Sequence, residues 1–168
     1  KSFNNKYGVP ISLFNINYKD KIGIFEVGMD KKGEIDFLTK IIMPNVGVIT
    51  NISYAHIKNF KNLKGVANAK SEIIDNIVEH GSIILNADDK FFKFFKSKSI
   101  KRKLRIISFG IKNKSDVSLT KIKKGKFSSV IYIKNNEKIL KFTIKKNLEN
   151  YIYNILSTLA VISLYFDL

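Results

Sequence analysis

The chain contains no cysteine at all, which excludes a disulfide framework and thiolate chemistry and agrees with a cytoplasmic setting. Histidine is scarce, at positions 56 and 80 only, and so is arginine, at 102 and 105 only. Acidic residues are few: 14 Asp and Glu stand against 30 Lys and Arg, a formal net charge of +16. A charge of that size invites a nucleic-acid reading. Yet the basic residues are spread along the whole length, and nearly all are lysine, whereas base reading relies mostly on arginine. Abundant Lys, Asn, Ile and Phe are also what AT-rich codons produce. Net charge speaks to non-specific binding and not to fold or task, so no nucleic-acid partner is expected. No signal peptide is read in the opening residues, and neither an internal repeat nor a low-complexity linker is found.

What remains is an ordinary globular mixture, 45% hydrophobic and 26% charged over 168 residues, long enough for one domain with a proper core. The chain opens at Lys1 and not at a methionine, so a piece of a longer polypeptide is expected. Strands are predicted over 21–29, 46–50 and 82–89, and again near 104–109. Helices are predicted over 33–42, stopped before Pro44, over 63–78, ended by "HGS", and near 89–97. Strands alternating with helices imply an α/β fold with a mostly parallel sheet flanked by helices. From about 116 to 145 the pattern changes to apolar–polar alternation broken by "KKGK" and "KNNEK", an antiparallel meander of two or three strands. A closing helix is predicted over Leu148–Phe166, with Ile152, Leu156 and Leu159 on its apolar stripe. Polar residues interrupt it, so it does not read as a membrane span.

The densest basic patch is "DKFFKFFKSKSIKRK", residues 89–103. Its phenylalanines have the rings to stack on bases. The plainer reading buries Phe92 and Phe95 under a short helix and leaves the lysines wet.

In an open parallel sheet, ligands gather at the carboxyl ends of the strands. Glu26 is expected late in its strand on the apolar face, where a carboxylate must be paired or bind metal. His56 follows the second strand by a short loop; it is either a hydrogen-bonded structural residue or part of a site near Glu26. Asn86, Asp88 and Asp89 close the third strand, and His80 reads as surface. Lys70 occupies a slot of the 63–78 stripe where an apolar residue is expected. It either snorkels from the stripe edge or is an amine held near the sheet, where desolvation eases loss of its proton. A neutral amine can take up carbon dioxide as a metal-binding carbamate. Spacing leaves both readings open.

Five segments in order carry a resemblance: "SFNNKYGVPISL" at 2–13, "FEVGMDKKGEI" at 25–35, "PNVGVITNISYAHIKNF" at 44–60, "GVANAKSEI" at 65–73 and "LNADD" at 85–89. Together they resemble the central, ATP-binding domain of the Mur ligases. The Asn-Asn-x-x-Gly-Val-Pro segment and the Gly-Glu-Ile resemble the branch that joins D-alanyl-D-alanine to UDP-N-acetylmuramoyl tripeptide, rather than folylpolyglutamate or cyanophycin-type ligases. The resemblance is specific over residues 1–90 and rests on element order beyond them.

The resemblance implies an ATP-dependent carboxylate–amine ligase of peptidoglycan synthesis, cytoplasmic and monomeric, with ATP and Mg2+ as cofactors. By motif, Glu26 is implied as the ligand of a magnesium bridging the ATP phosphates. His56 and a carbamylated Lys70 are implied at a second magnesium. Asn4, Asn5 and Asn51 fall to the substrate and phosphate pocket. Asn86, Asp88 and Asn154 fall to the nucleotide. The family's Gly-x-x-Gly-Lys-Thr phosphate loop is expected just upstream of Lys1, and the domain that brings the amine substrate after Leu168. The chain alone is therefore expected to be inactive. Where the family's closing helix opens with Gly-x-His and an Asn four residues on, this chain has Leu148, Asn150 and Asn154.

Overall fold

The computed structural model describes residues 3–54 and 59–168. It divides into two compact units, Lys1–Gly47 with Ile52–Gly81 and Val48–Asn51 with Ser82–Leu168.

Apart from the start of strand β1 (Val46–Ile49), the main regular elements of the first unit are helices. Helix α1 (Gly8–Phe14) lies outside the helices that the sequence predicts. Its start is organised by Asn5, whose Oδ1 accepts from the N–H groups of Tyr7 and Gly8 at 3.1 and 3.0 Å. Those donors would otherwise lack partners. Position 8 must be glycine, because a Cβ there would lie 2.4 Å from the Phe3 Cα. Helix α2 (Glu34–Ile42) begins at Gly33, whose φ of 90° suits only glycine. It ends before Pro44, as expected.

Helix α3 (Leu63–Lys70) starts at Asn62, whose side chain accepts from Gly65 N at 3.0 Å. The continuous helix expected over 63–78 is instead broken at Ser71. The Ser71 hydroxyl donates to the Asn68 carbonyl at 2.7 Å, and Ile74 N donates to Ser71 O at 3.1 Å. This tightened turn separates α4 (Glu72–Asp75). His80 is exposed, as expected. The unit's core holds Met29, Ile35, Val66 and Ala69, flanked by Val27, Ile52, Phe60 and Ile73.

The strand expected over 21–29 is not formed. Residues 22–29 have no regular secondary structure, and Ile24 is 93% exposed. Alternation shows that a segment can be a strand, but only a neighbouring backbone makes it one. Here Gly28 N bonds to Asn4 O at 2.8 Å, and among the described residues the segment joins no strand ladder.

The strands β1 (Val46–Ile49), β2 (Ser82–Asn86), β3 (Arg105–Gly110), β4 (Val117–Lys124), β5 (Ser128–Asn135) and β6 (Lys138–Lys145) form one sheet in that order. β2–β3 and β3–β4 pair in parallel; β4–β5 and β5–β6 pair antiparallel. The α/β class and the meander are as expected, with three strands in the meander. β4 meets β3 only through Phe109–Val117 and Gly110–Ser118, so the meander runs on past the carboxyl end of β3. Ile131 and Ile133 bury one face of β5, and Tyr132 and Lys134 alternate onto the other.

Helix α5 (Phe92–Lys101) starts later and runs further than expected. Asp89 first makes a turn, accepting from Phe91 N through Oδ1 at 2.8 Å. Phe95 is buried and Phe92 half-buried. The closing segment is a 3-10 turn over Lys146–Tyr151 followed by α6 (Ile152–Ile162), shorter than expected, and Phe166 is exposed. α6 packs on β2, β3 and β4 through Ile152, Leu156 and Leu159. No helix among the described residues is long and apolar enough to cross a membrane.

Candidate functional site

In the first unit, the Asn-Asn segment and the acidic segment come together. Asn4 Nδ2 donates to Glu26 Oε1 at 3.0 Å, and Asn4 O accepts from Gly28 N at 2.8 Å. Gly28 is needed for this approach: a Cβ there would sit 3.1 Å from the Asn4 side chain. Glu26 is exposed, not buried on an apolar face as expected. The cause is the missing ladder: Val27 and Met29 turn into the core and Glu26 turns out. Its carboxylate therefore has the ordinary solvation of a surface group, with one oxygen held by an amide. Asn5 spends its side-chain oxygen on the start of α1.

Lys70 is the last residue of α3 and is half-buried, beside fully buried Ala69. Ala69 packs in the same core cluster as Met29 and Val27. Glu26 and Lys70 are thus each one residue from members of a single cluster. His56 lies outside the described residues.

In the second unit, the carboxyl ends of β1 and β2 are tied together. Asn86 Nδ2 donates to Thr50 O at 2.9 Å, and Asn86 Oδ1 accepts from Asp88 N at 2.9 Å. Asn51 follows Thr50 and is exposed. Asp88 accepts from the N–H groups of Ile111, Lys112 and Asn113 at 2.6, 3.0 and 2.7 Å. It also accepts from the Tyr153 hydroxyl at 2.9 Å. Burial pushes the Asp88 carboxyl up, but these donors outweigh it and hold the group below the usual carboxylate range. Burial and the bond to Asp88 push Tyr153 up. Tyr153 lies beside the apolar stripe of α6, where no local sequence pattern marks it. Asn154 is exposed on α6, and its carbonyl accepts from Ser157 and Thr158 hydroxyls at 2.9 Å each.

The residues fit a hard cation better than a soft one. Among the described residues no three His, Asp or Glu side chains gather into a metal cage. A single hydrated carboxylate such as Glu26 suits magnesium, which keeps several of its waters.

A crystal structure of MurF from Acinetobacter baumannii superposes on 100% of this chain and 36% of its own, with a TM-score of 0.89 and 27% identity. MurF ligase from Thermotoga maritima in complex with ADP is alike in fold, with a TM-score of 0.76 over 94% of this chain and 36% of its own at 24% identity. The UDP-N-acetylmuramoyl-tripeptide--D-alanyl-D-alanine ligase of Buchnera aphidicola subsp. Baizongia pistaciae is 37% identical over 122 residues, 73% of this chain and 26% of that protein. The chain thus spans 26% of the length of that relative. The family model of the Mur ligase middle domain matches residues 1–162, and the chain belongs to that family.

Proposed function

We propose that this chain is the nucleotide- and metal-handling domain of a cytoplasmic, monomeric ligase that joins D-alanyl-D-alanine to UDP-N-acetylmuramoyl tripeptide in peptidoglycan synthesis. The observation that carries this reading is the superposition of the whole chain on A. baumannii MurF. The named relative at 37% identity supports the substrate pair, and the ADP complex of the T. maritima protein supports ATP as the nucleotide.

In this reading the γ-phosphoryl group of ATP moves to the tripeptide carboxylate, releasing ADP. The amine of D-alanyl-D-alanine attacks the acyl carbon, phosphate leaves, and the amine's proton passes to solvent or a base. Magnesium, when bound, would supply the positive charge that offsets the phosphate charge. Glu26 would hold one such ion, and Asn4 keeps the carboxylate in one orientation through its amide. His56 and the carbamate of Lys70 would hold a second. Asn5 and Asn51 line the substrate side. Asn86 fixes the ends of β1 and β2 by the nucleotide, Asp88 stiffens the loop after β3, and exposed Asn154 offers its amide to adenine.

The test is phosphate release by the full-length protein with ATP, magnesium, the tripeptide precursor and D-alanyl-D-alanine. Release that needs both acceptor substrates, with the pentapeptide product seen by mass spectrometry, is the expected result. ATP turnover without that product would overturn the substrate assignment.

A further inference from the structure

The outward face of α5 carries a combination that the ligase reading leaves unused. Buried Phe95 and Ser99 mark the inner side of this helix. At 100° per residue the opposite arc holds Lys93, Phe94, Ser97, Ile100 and Lys101, with Lys96 at its rim. Ile100 is 59% exposed and Phe94 38%. Residues 90–105 contain eight Lys and Arg and no acid. An exposed aliphatic side chain thus shares this face with several exposed lysines.

We propose that this face docks peripherally on an anionic lipid bilayer, with the lysines at the headgroups and Ile100 and Phe94 at the acyl boundary. A helix of ten residues is too short to span a bilayer and would lie in its plane. Each lysine near an anionic surface adds electrostatic attraction, and the apolar side chains add to it. The same face is poorly made for nucleic acid. Ile100 cannot stack on a base, and the aromatic of this face, Phe94, is 38% exposed with its ring centroid 5.4 Å from that of buried Phe95, whereas stacking platforms need open aromatic faces.

The experiment is co-sedimentation of the full-length protein with vesicles of phosphatidylcholine, with and without phosphatidylglycerol. Binding is expected only with phosphatidylglycerol, and it should weaken as salt rises. Replacing Lys93, Lys96 and Lys101 together by Glu should weaken it at least about tenfold. Ile100→Ser should weaken it several-fold without changing its salt dependence. A control with Lys121, Lys123 and Lys141 on the meander replaced by Glu should keep wild-type binding. All these lysines and Ile100 are exposed, so the variants should fold, and thermal melts would check it. The proposal is overturned if phosphatidylglycerol vesicles are not bound, if the meander control loses as much as the α5 variant, or if Ile100→Ser binds like wild type. It is also overturned if a single-stranded oligonucleotide binds more tightly than the vesicles and displaces them from the protein.

Discussion

Tyr153 of α6 donates its hydroxyl to Asp88 at the end of β2, across 65 residues of sequence. The same carboxylate gathers three consecutive N–H groups of the loop after β3. Gly110 leaves the room: a Cβ there would lie 3.2 Å from both carboxylate oxygens. A second acid, Asp116, accepts from Ser108 N and its hydroxyl at 2.8 and 2.6 Å and returns its own N–H to that hydroxyl at 3.1 Å. These two clasps explain how β4 joins β3 in parallel after only a short loop.

Asp88→Asn should destabilise the protein by about 2 kcal/mol at neutral pH, because backbone donors lose a charged acceptor. The folded pKa of Asp88 is depressed, so its contribution is complete above the unfolded value, about 3.8. It fades as pH falls through the lower folded value. The gap between wild type and variant should therefore narrow on acidification below about pH 4. Urea unfolding at several pH values checks this; a gap that stays constant into acid would mean that Asp88 acts through packing alone.

Glu72 reaches from α4 to the start of α2, accepting from Gly33 N at 2.9 Å and Asp36 N at 3.1 Å. A carboxylate there satisfies end donors and meets the positive end of the helix. Glu72→Ala should cost about 2 kcal/mol. Gly33→Ala should cost about 1 kcal/mol for a different reason, since a Cβ meets nothing within 4 Å and only the positive φ is strained. Denaturant midpoints read both. A neutral Gly33→Ala would mean the backbone relaxes out of that conformation.

Much of this organisation is legible in the sequence, for identifiable reasons. The meander is written in alternation and in the turns around Gly125 and Asn136, which are local signals. α2 is bracketed by Gly33 and Pro44, again local. The break at Ser71 is less legible, since a serine within a helical stripe often does no more than face solvent. Residues 21–29 read as a strand because composition and period fit, but pairing depends on a partner that periodicity does not name. The exposure of Glu26 follows from that same difference. Asp88 could be placed at a strand end, yet its partners lie 23 to 25 and 65 residues away, beyond any local pattern.

The Asn4–Glu26 hydrogen bond makes a prediction about the proposed metal role. Glu26→Gln in the full-length enzyme keeps the shape and removes the charge, and should raise the magnesium concentration needed for half-maximal rate at least about tenfold. Asn4→Ala should shift it the same way but less, because it frees the carboxylate without discharging it. If Asn4 acts through Glu26, the double variant should be no worse than Glu26→Gln alone. Magnesium titrations of phosphate release decide the matter. Additive effects would separate the two residues, and an unchanged titration for Glu26→Gln would remove Glu26 from the metal.

Lys70 is half-buried at the end of α3, in a stripe that is otherwise apolar. If it carries a carbamate, it presents an anionic oxygen to a metal and not a cation to a phosphate. Lys70→Ala should then abolish most activity of the full-length enzyme. Added acetate or formate should partly restore it, since a small carboxylate can enter the vacated space and face the metal. Lys70→Arg should stay inactive, because a guanidinium keeps its proton and forms no carbamate. A lysine that only snorkels from the stripe edge gives the opposite pattern, with arginine tolerated and carboxylate without effect. Phosphate release across a carboxylate titration separates the two. An active Lys70→Arg enzyme, or a Lys70→Ala enzyme that no carboxylate concentration rescues, would return Lys70 to a packing role.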